Sequence, residues 1–315
     1  MKTIIQIYKM NFDKSEIVDN VNTYWGIGDF LRSTLGLYNL SKTLHFNLIV
    51  DLSLHPISKY IQSDTHQYSD LIKSGSKHLN LLMHQEKIID FIKNSSDDVI
   101  LMFGWMGLEV YDSLLSDDAE KFMKSILKPN EIMKGYIDAE ISQFPFKKYN
   151  IIHYRSGDAD LFNNKDFMYD VNHFIKNYEK NDILMSDSNN FKKKILAECK
   201  NVFAFNTNIV HLGKSHASVC DTLFELFIMI NASRIKSYTT YSWCSGFAKA
   251  ISFIYKIPLI YQTEVQFVLK KCIRKNCVFL THSNIKNNGG EYCCLSCKQR
   301  SKHGVLCERK LFLQK

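Results

Sequence analysis

The sequence has no apolar run long enough to cross a membrane, because none reaches the roughly 18 residues that a span needs. Its first ten residues (MKTIIQIYKM) hold too short an apolar run for a signal peptide and lack a small-residue cleavage site. These two absences predict a cytoplasmic protein without a membrane span. In that compartment cysteines remain reduced, so clustered cysteines indicate a metal site more than disulfides.

Acidic residues are fewer than basic ones: the sequence has 32 Asp and Glu, 40 Lys and Arg, and a formal net charge of +8. This surplus favours anionic ligands such as nucleotide diphosphates, nucleic acid or acidic surfaces, without choosing among them. At 315 residues and 45% hydrophobic content, the chain can bury a substantial core. A disordered protein is thereby excluded, and about two domains of ordinary size are expected.

Apolar runs of strand length alternate with segments of helical period. The predicted strands are 46–51, 99–103, 150–153, 182–185, 202–205, 235–238 and 259–261. The predicted helices are 27–44, 119–127, 166–178, 191–198, 217–231 and 244–255. Such alternation is typical of an α/β fold with mostly parallel strands, whose ligands bind at the carboxyl ends of the strands. A boundary near Pro145 divides the chain into domains 1–145 and 146–263, followed by an appended module, 264–315.

One predicted strand ends in residues that suit a phosphate. The run 149–158 (YNIIHYRSGD) is apolar and β-prone until it reaches His153, Arg155 and the pair Gly157 and Asp158. An arginine fork at the carboxyl end of a strand can hold a phosphate pair, and a glycine beside it lets a ligand approach closely. A solvated strand end with a turn produces the same letters, so these residues alone leave both interpretations open.

Two glycines, Gly26 and Gly28, open the first predicted helix. Free backbone amides and the helix dipole at such an end favour an anion or a hydroxyl-rich ligand. A tight turn is the alternative explanation for the two glycines.

Several separated segments together resemble the fucosyltransferase superfamily, which holds the Nod-factor and N-glycan α-1,6, the α-1,2 and the protein O-fucosyltransferases. The segments are 26–32 (GIGDFLR), 153–158 (HYRSGD), 182–188 (DILMSDS), 222–227 (TLFELF) and 241–248 (YSWCSGFA). Their order and spacing carry the resemblance, which covers residues 20–262. It implies a GT-B fold of two Rossmann-like domains facing across a cleft, with the acceptor on the side of the first domain. It also implies an inverting reaction, GDP-fucose as donor and no metal for catalysis.

The resemblance implies roles for individual residues. Arg155 matches the arginine that grips the donor diphosphate, and a metal-free enzyme needs such fixed donors for the leaving oxyanion. Asp29 and Asp158 are the candidates for the general base, although an Asp beside a glycine is commonly a turn or cap residue. The predicted donor-binding residues are Gly26, Gly28, His153, Arg155, Asp187, Ser188, Glu225, Ser242, Ser245 and Gly246.

Three positions depart from the family pattern. Tyr154 replaces the small or aliphatic residue that is frequent between the family histidine and arginine. Ser156 stands where a second arginine often occurs, and Glu225 stands where many relatives carry an aspartate. Glu225 could pair with the base or only cap a helix. These departures bear on GDP-fucose as the donor more than on glycosyl transfer itself. Elsewhere, His55 and the run 192–194 (KKK) are predicted to lie on helix surfaces.

The carboxyl-terminal module offers separate chemistry through clustered cysteines and histidines. The candidate ligands of a structural, tetrahedral zinc are Cys272, Cys277, Cys294, Cys297, His303 and Cys307. The CxxC pair at 294–297 can place two thiolates on one ion, and the others supply a second pair. Disulfides or free buried thiols are the alternative. The module is also similar to small Cys/His tails of proteins of large DNA viruses, which agrees with a viral protein acting in the host cytoplasm.

Two functional classes remain open. The first is a fucosyltransferase-like glycosyltransferase that uses a GDP-sugar and a glycan or glycoprotein acceptor. The second is an inactive transferase-like scaffold that binds nucleic acid or protein through its Cys-rich tail, with nucleic acid the less favoured partner.

Overall fold

A computed structural model gives the fold of the chain. The structure describes residues 1–9, 26–62, 77–79, 85–103, 115–156, 169–209, 212, 218–239 and 244–263. The chain forms two compact units, and one of them, Met1–Ser237 with Ser245–Ile260, holds the first sheet and most of the second. The other consists of Tyr238–Cys244 and Tyr261–Lys315.

The first half of the chain builds a sheet of four strands in the order β2-β1-β4-β3. Its elements are β1 (Thr3–Ile7), α1 (Ile27–Leu44), β2 (Asn47–Asp51), a 3₁₀ turn (Pro56–Lys59), β3 (Lys77–Leu79), α2 (Gln85–Asn94), β4 (Val99–Phe103), α3 (Asp117–Ile126) and α4 (Glu131–Ile141). Its paired strands all run parallel, with Ile7 opposite both Asp51 and Phe103. The carboxyl ends of β1, β2 and β4 therefore meet at one edge of this sheet.

The second half builds a sheet of five strands in the order β7-β6-β5-β8-β9. Its elements are β5 (Asn150–Arg155), α5 (Val171–Asn177), β6 (Asp182–Ser186), α6 (Asn189–Glu198), β7 (Phe203–Ala204), α7 (Val219–Met229), β8 (Ile235–Thr239), α8 (Gly246–Tyr255) and β9 (Leu259–Thr263). Strands β5, β6 and β7 are parallel. Backbone bonds from Ser233 to Tyr149 and from Ile151 to Arg234 set β8 in the same direction.

The order of the second sheet makes β5 its turning point. The chain leaves β5 toward β6 and β7 on one side and later returns to place β8 on the other side. In open α/β sheets the crevice at such a reversal, outside the carboxyl ends of the strands, is where ligands bind. Arg155, the last residue of β5, stands at this point.

The pattern of apolar residues explains which helices, and which faces of the strands, are buried in the core. Twelve of the 18 residues of α1 are buried, and so are nine of the 11 residues of α7. Helices that are buried almost all round are core helices. In β1, Ile4 packs into the main core, whereas Ile5 and Ile7 join a smaller cluster with Leu101 and Phe103. This alternation follows from the period of two in a strand.

The predicted pattern of elements is largely confirmed. Helix α1 has the predicted bounds, and each predicted strand and helix has a counterpart whose ends differ by a few residues. Five elements in the described part of the chain were not predicted, namely β1, the 3₁₀ turn, β3, α2 and α4. Among the helices in the described part of the chain, none combines the length and the apolar character needed to cross a bilayer. The domain boundary near Pro145 stays a prediction.

Candidate functional site

The centre of the candidate site is the Arg155–Asp187 ion pair, which joins the carboxyl ends of β5 and β6. Arg155 donates from Nη1 to Oδ2 of Asp187, whose side chain is only 2% exposed. The other carboxylate oxygen of Asp187 accepts from the Ser156 amide at 2.7 Å and from the Ser156 hydroxyl at 3.0 Å. Three donors thus fix Asp187, and Asp187 fixes one end of the guanidinium. Such a fork is held in place before any ligand arrives.

His153 lies behind this pair as an uncharged ring. Its Nδ1 lies 3.2 Å from the Ser237 hydroxyl on β8. Burial lowers the pKa of His153 from 6.5 to about 4, although the Asp187 carboxylate opposes that shift; the Arg155 guanidinium adds to it. The neutral imidazole keeps one ring N–H donor at physiological pH.

We expect His153 to make folding sensitive to mild acid. The unfolded chain protonates this residue near pH 6.5 and the folded chain near pH 4. Unfolded molecules therefore bind more protons between these values, and the free energy of unfolding falls as the pH is lowered, by about 2 kcal/mol at pH 5. Urea unfolding of the wild type and of His153→Gln at pH 7.5 and pH 5 isolates this contribution. An equal loss in both proteins would assign the effect to other groups.

The amino terminus of α8 lies close to the end of β5. The rings of His153 and Phe247 are 6.2 Å apart between centroids. Helix α8 begins after Ser245, which is 1% exposed and makes no side-chain cap. Among the described residues, nothing forms a hydrogen bond with the Ser245 hydroxyl. A buried hydroxyl without a partner, at a helix end whose first amides have no side-chain cap, is suited to an anionic ligand.

Helix α1 approaches the same place from the first half of the chain. A Cβ added at Gly28 would come within 2.7 Å of Gly246 C and Phe247 N, which are backbone atoms. Among the described atoms, nothing lies within 4 Å of a Cβ added at Gly246 itself. Gly28 is therefore needed for packing helix against helix, and through it the first turns of α1 and α8 meet. Its predicted contact with a ligand stays a prediction.

The fold of the chain is similar to that of solved structures of a fucosyltransferase. The NodZ α-1,6-fucosyltransferase crystallised with GDP aligns with a TM-score of 0.51 and 11% sequence identity, over 82% of this chain and 94% of NodZ. The selenomethionine structure of NodZ from Bradyrhizobium aligns with the same scores and coverage. The chain has the GT-B fold of NodZ. No protein-family model and no curated protein sequence matches it.

The likeness to NodZ confirms the predicted fold class but not the individual site residues. Within this NodZ-like fold, Arg155, His153 and Asp187 cluster at the carboxyl edge of the second sheet, and Ser245 and Gly246 open the helix beside them. Their roles in donor binding and catalysis remain predictions. Sequence reasoning overlooked Ser237 as the partner of His153. It noted Ser156 only as a departure from the family pattern.

Other predicted residues have structural partners of their own. Gly26 is the amino-terminal cap residue of α1, and Asp29 in the first turn pairs with Arg32 at 3.1 Å. Ser188 caps α6 by accepting from the Phe191 amide at 3.2 Å. Asp158 and Ser242 lie outside the described residues.

The zinc site predicted for the Cys-rich tail also lies outside the described residues, which end at Thr263. In the described ranges, no group of three or more His, Cys, Asp or Glu side chains is placed to hold a metal. The tail site stays a prediction.

Two predictions of surface position were wrong. Lys192 is buried on α6 and donates from Nζ to the Thr207 carbonyl at 2.8 Å and to the Thr207 hydroxyl at 3.0 Å. His55 is also buried, and its Nε2 lies 2.7 Å from the Leu212 carbonyl. The signal for Lys192 was present in the sequence, because it precedes the buried Ile195 by three residues and so shares its helix face.

Glu225 lies within α7 and does not cap it. Its predicted role in donor binding stays a prediction. Glu225 is buried on α7, accepts from the Thr207 hydroxyl and lies 3.5 Å from Lys192 Nζ. Burial raises the pKa of the Glu225 carboxyl, whereas Lys192 lowers it. Lys192, Thr207 and Glu225 form the buried triad.

Proposed function

We propose that this protein is an inverting, metal-independent glycosyltransferase of the fucosyltransferase type. It transfers fucose from GDP-fucose to a hydroxyl of a glycan or glycoprotein. The proposal rests chiefly on one observation. At the turning point of the second sheet, β5 carries both the Arg155 fork and His153, whose ring lies 6.2 Å from the Phe247 ring in the first turn of α8. NodZ, which shares the fold, was crystallised with GDP. In this proposal, residues 1–145 form the acceptor-side domain and residues 146–263 the donor domain.

The donor diphosphate would occupy the space in front of α8. Its oxygens would accept from the Arg155 guanidinium, the Ser245 hydroxyl and the first amides of α8. The Asp187 carboxylate keeps the guanidinium oriented, so little reorganisation accompanies binding. His153, uncharged at neutral pH, contacts the Ser237 hydroxyl on β8 and keeps one ring N–H as a hydrogen-bond donor in this region.

The reaction requires a nucleophile on the opposite side of the sugar from the diphosphate. The acceptor oxygen forms a bond to the anomeric carbon, the bond from that carbon to the diphosphate oxygen breaks, and the electron pair leaves with GDP. Negative charge grows on the leaving oxygen, where Arg155 stabilises it. We propose Asp29 for the acceptor proton, because Gly28 next to it already contacts the start of α8. Asp158 is the alternative base.

A thermal-shift panel of nucleotides tests the proposal. GDP and GDP-fucose are expected to stabilise the full chain, by about 2.7 kcal/mol at a hundredfold excess over Kd. UDP and ADP are expected to give smaller shifts, and added EDTA is expected to leave the GDP shift unchanged. Asp29→Asn is expected to keep the GDP shift and to lose transfer from GDP-fucose. If no nucleoside diphosphate stabilises the chain, the proposed function is wrong.

A further inference from the structure

The buried triad holds a segment of irregular backbone at the edge of the second sheet. Lys192 reaches from α6 to both the carbonyl and the hydroxyl of Thr207, and the Thr207 hydroxyl donates in turn to Glu225 on α7. The adjacent Asn208 amide donates to the Asp221 carboxylate at 2.9 Å. Two helices thus fix residues 205–208, which have no regular secondary structure.

A buried ion pair is a costly way to gain stability. Lys192 and Glu225 are each 5% exposed, so both charges have lost most of their hydration. Replacing such a pair with uncharged side chains of similar volume is often neutral or stabilising. The pair instead fixes the local geometry, because a lysine on α6 and a glutamate on α7 both form hydrogen bonds with the same threonine hydroxyl.

Residues 205–208 lie along the same edge of the sheet as Arg155, His153 and Asp187, the Arg155 cluster. A ligand that is bound by this cluster and is long enough to follow the edge would reach them. The segment follows β7, which is parallel to β6, so it shares the carboxyl edge with Asp187. Asn189, the first residue of α6, donates to the Asn208 side chain and ties the two loops together. Phe205 and Thr207 are buried, whereas Asn206 and Asn208 between and beyond them are exposed. The fixed segment therefore presents amide groups, which can both donate and accept hydrogen bonds.

We infer that the buried triad is a positioning device for binding the nucleoside part of the donor, acting through residues 205–208. This inference rests on the proposed function. Lys192 and Glu225 touch no reacting atom in this scheme and are positioning residues. Their removal should weaken binding of a nucleoside diphosphate but not binding of a bare diphosphate, which needs only Arg155 and α8.

The test uses the full chain and the double variant Lys192→Met/Glu225→Gln, which leaves no buried charge unpaired. Calorimetry gives the Kd of GDP and of inorganic pyrophosphate. We expect the Kd of GDP to rise about tenfold and the Kd of pyrophosphate to remain at the wild-type value. Amide hydrogen exchange at Asn208 is expected to become faster. Should the double variant fail to fold, Thr207→Val removes the shared hydroxyl while keeping both charges, and the same selective loss is expected.

A second buried pair in the same sheet provides the matched control. Lys236 contacts Asp182 at the amino ends of the strands, away from the Arg155 cluster, and both side chains are buried. Lys236→Met/Asp182→Asn is expected to leave both Kd values unchanged.

The possible outcomes separate the two proposals. Wild-type affinity of the triad variant for GDP, or an equal loss for GDP and pyrophosphate, would overturn the positioning role while leaving the proposed function standing. A wild-type chain that binds neither compound would overturn both.

Discussion

Replacing Arg155 with lysine is expected to lower the rate of sugar transfer from GDP-fucose by about 10²–10³-fold at saturating donor. The rate is measured as the GDP formed. Lysine keeps a positive charge beside Asp187, so the nearly inaccessible carboxylate retains a partner and the fold is preserved. The variant loses the planar guanidinium, which can donate one N–H to Asp187 and its remaining N–H groups to the oxygens of a diphosphate. An alanine variant would be less informative, because an unpaired buried charge costs about 3–5 kcal/mol of stability.

Arg234→Lys is the matched control for Arg155→Lys. Arg234 also forms an ion pair in the second sheet, with Glu179 at 2.6 Å, but it lies at the amino-terminal edge of that sheet. We expect this variant to retain the wild-type rate and GDP affinity. Comparable activity in both lysine variants would mean that the Arg155 fork does not stabilise the leaving diphosphate.

The part of the fold that follows local patterns could be predicted from the sequence. Helix α1 carries an apolar face along its whole length, and its predicted bounds match the structure. The strands from 99–103 onward are short β-prone runs between helical segments, so their order along the chain predicts parallel pairing. Strand β1 was not predicted, because the short apolar run Thr3–Ile7 lies in a segment that also has to be tested as a targeting signal. Helix α4 was missed although Met133 and Ile137 are spaced for one buried face.

The candidate site was predictable as a set of segments but not as a set of contacts. The sequence indicated Arg155 because this arginine follows a β-prone run, and in the structure Arg155 is the last residue of β5. The Arg155–Asp187 bond joins residues 32 positions apart, and the bond from His153 to Ser237 spans 84. No local pattern fixes such pairings. Lys192 was misjudged for the same reason, because its neighbours in a run of lysines suggested solvent while its partners come from other elements.

The contact between Gly28 and α8 gives a sharper test of how the two halves of the chain build one site. Gly28→Ala is expected to destabilise the protein by about 1–3 kcal/mol, because overpacking a close contact forces the backbone to move. The atoms in the way belong to the backbone of Gly246 and Phe247, so no side-chain rotation can relieve the clash. Helix propensity acts in the opposite direction, since alanine is favoured over glycine by up to about 1 kcal/mol. The packing penalty is the larger of these two opposing effects, so the expected net effect is a loss of stability.

Gly135→Ala provides the control, because Gly135 lies within α4 and nothing described lies within 4 Å of its added Cβ. This variant is expected to be more stable than the wild type by about 0.5–1 kcal/mol, as helix propensity alone dictates. Chemical denaturation thus compares one substitution at two helical glycines, with opposite expected signs. Moving the start of α8 also displaces Ser245 and the first amides, so only Gly28→Ala is expected to weaken GDP binding, by roughly tenfold or more. Wild-type stability and wild-type GDP affinity of Gly28→Ala would contradict this prediction. The contact between α1 and α8 would then not position Ser245 and the first amides of α8 for the diphosphate.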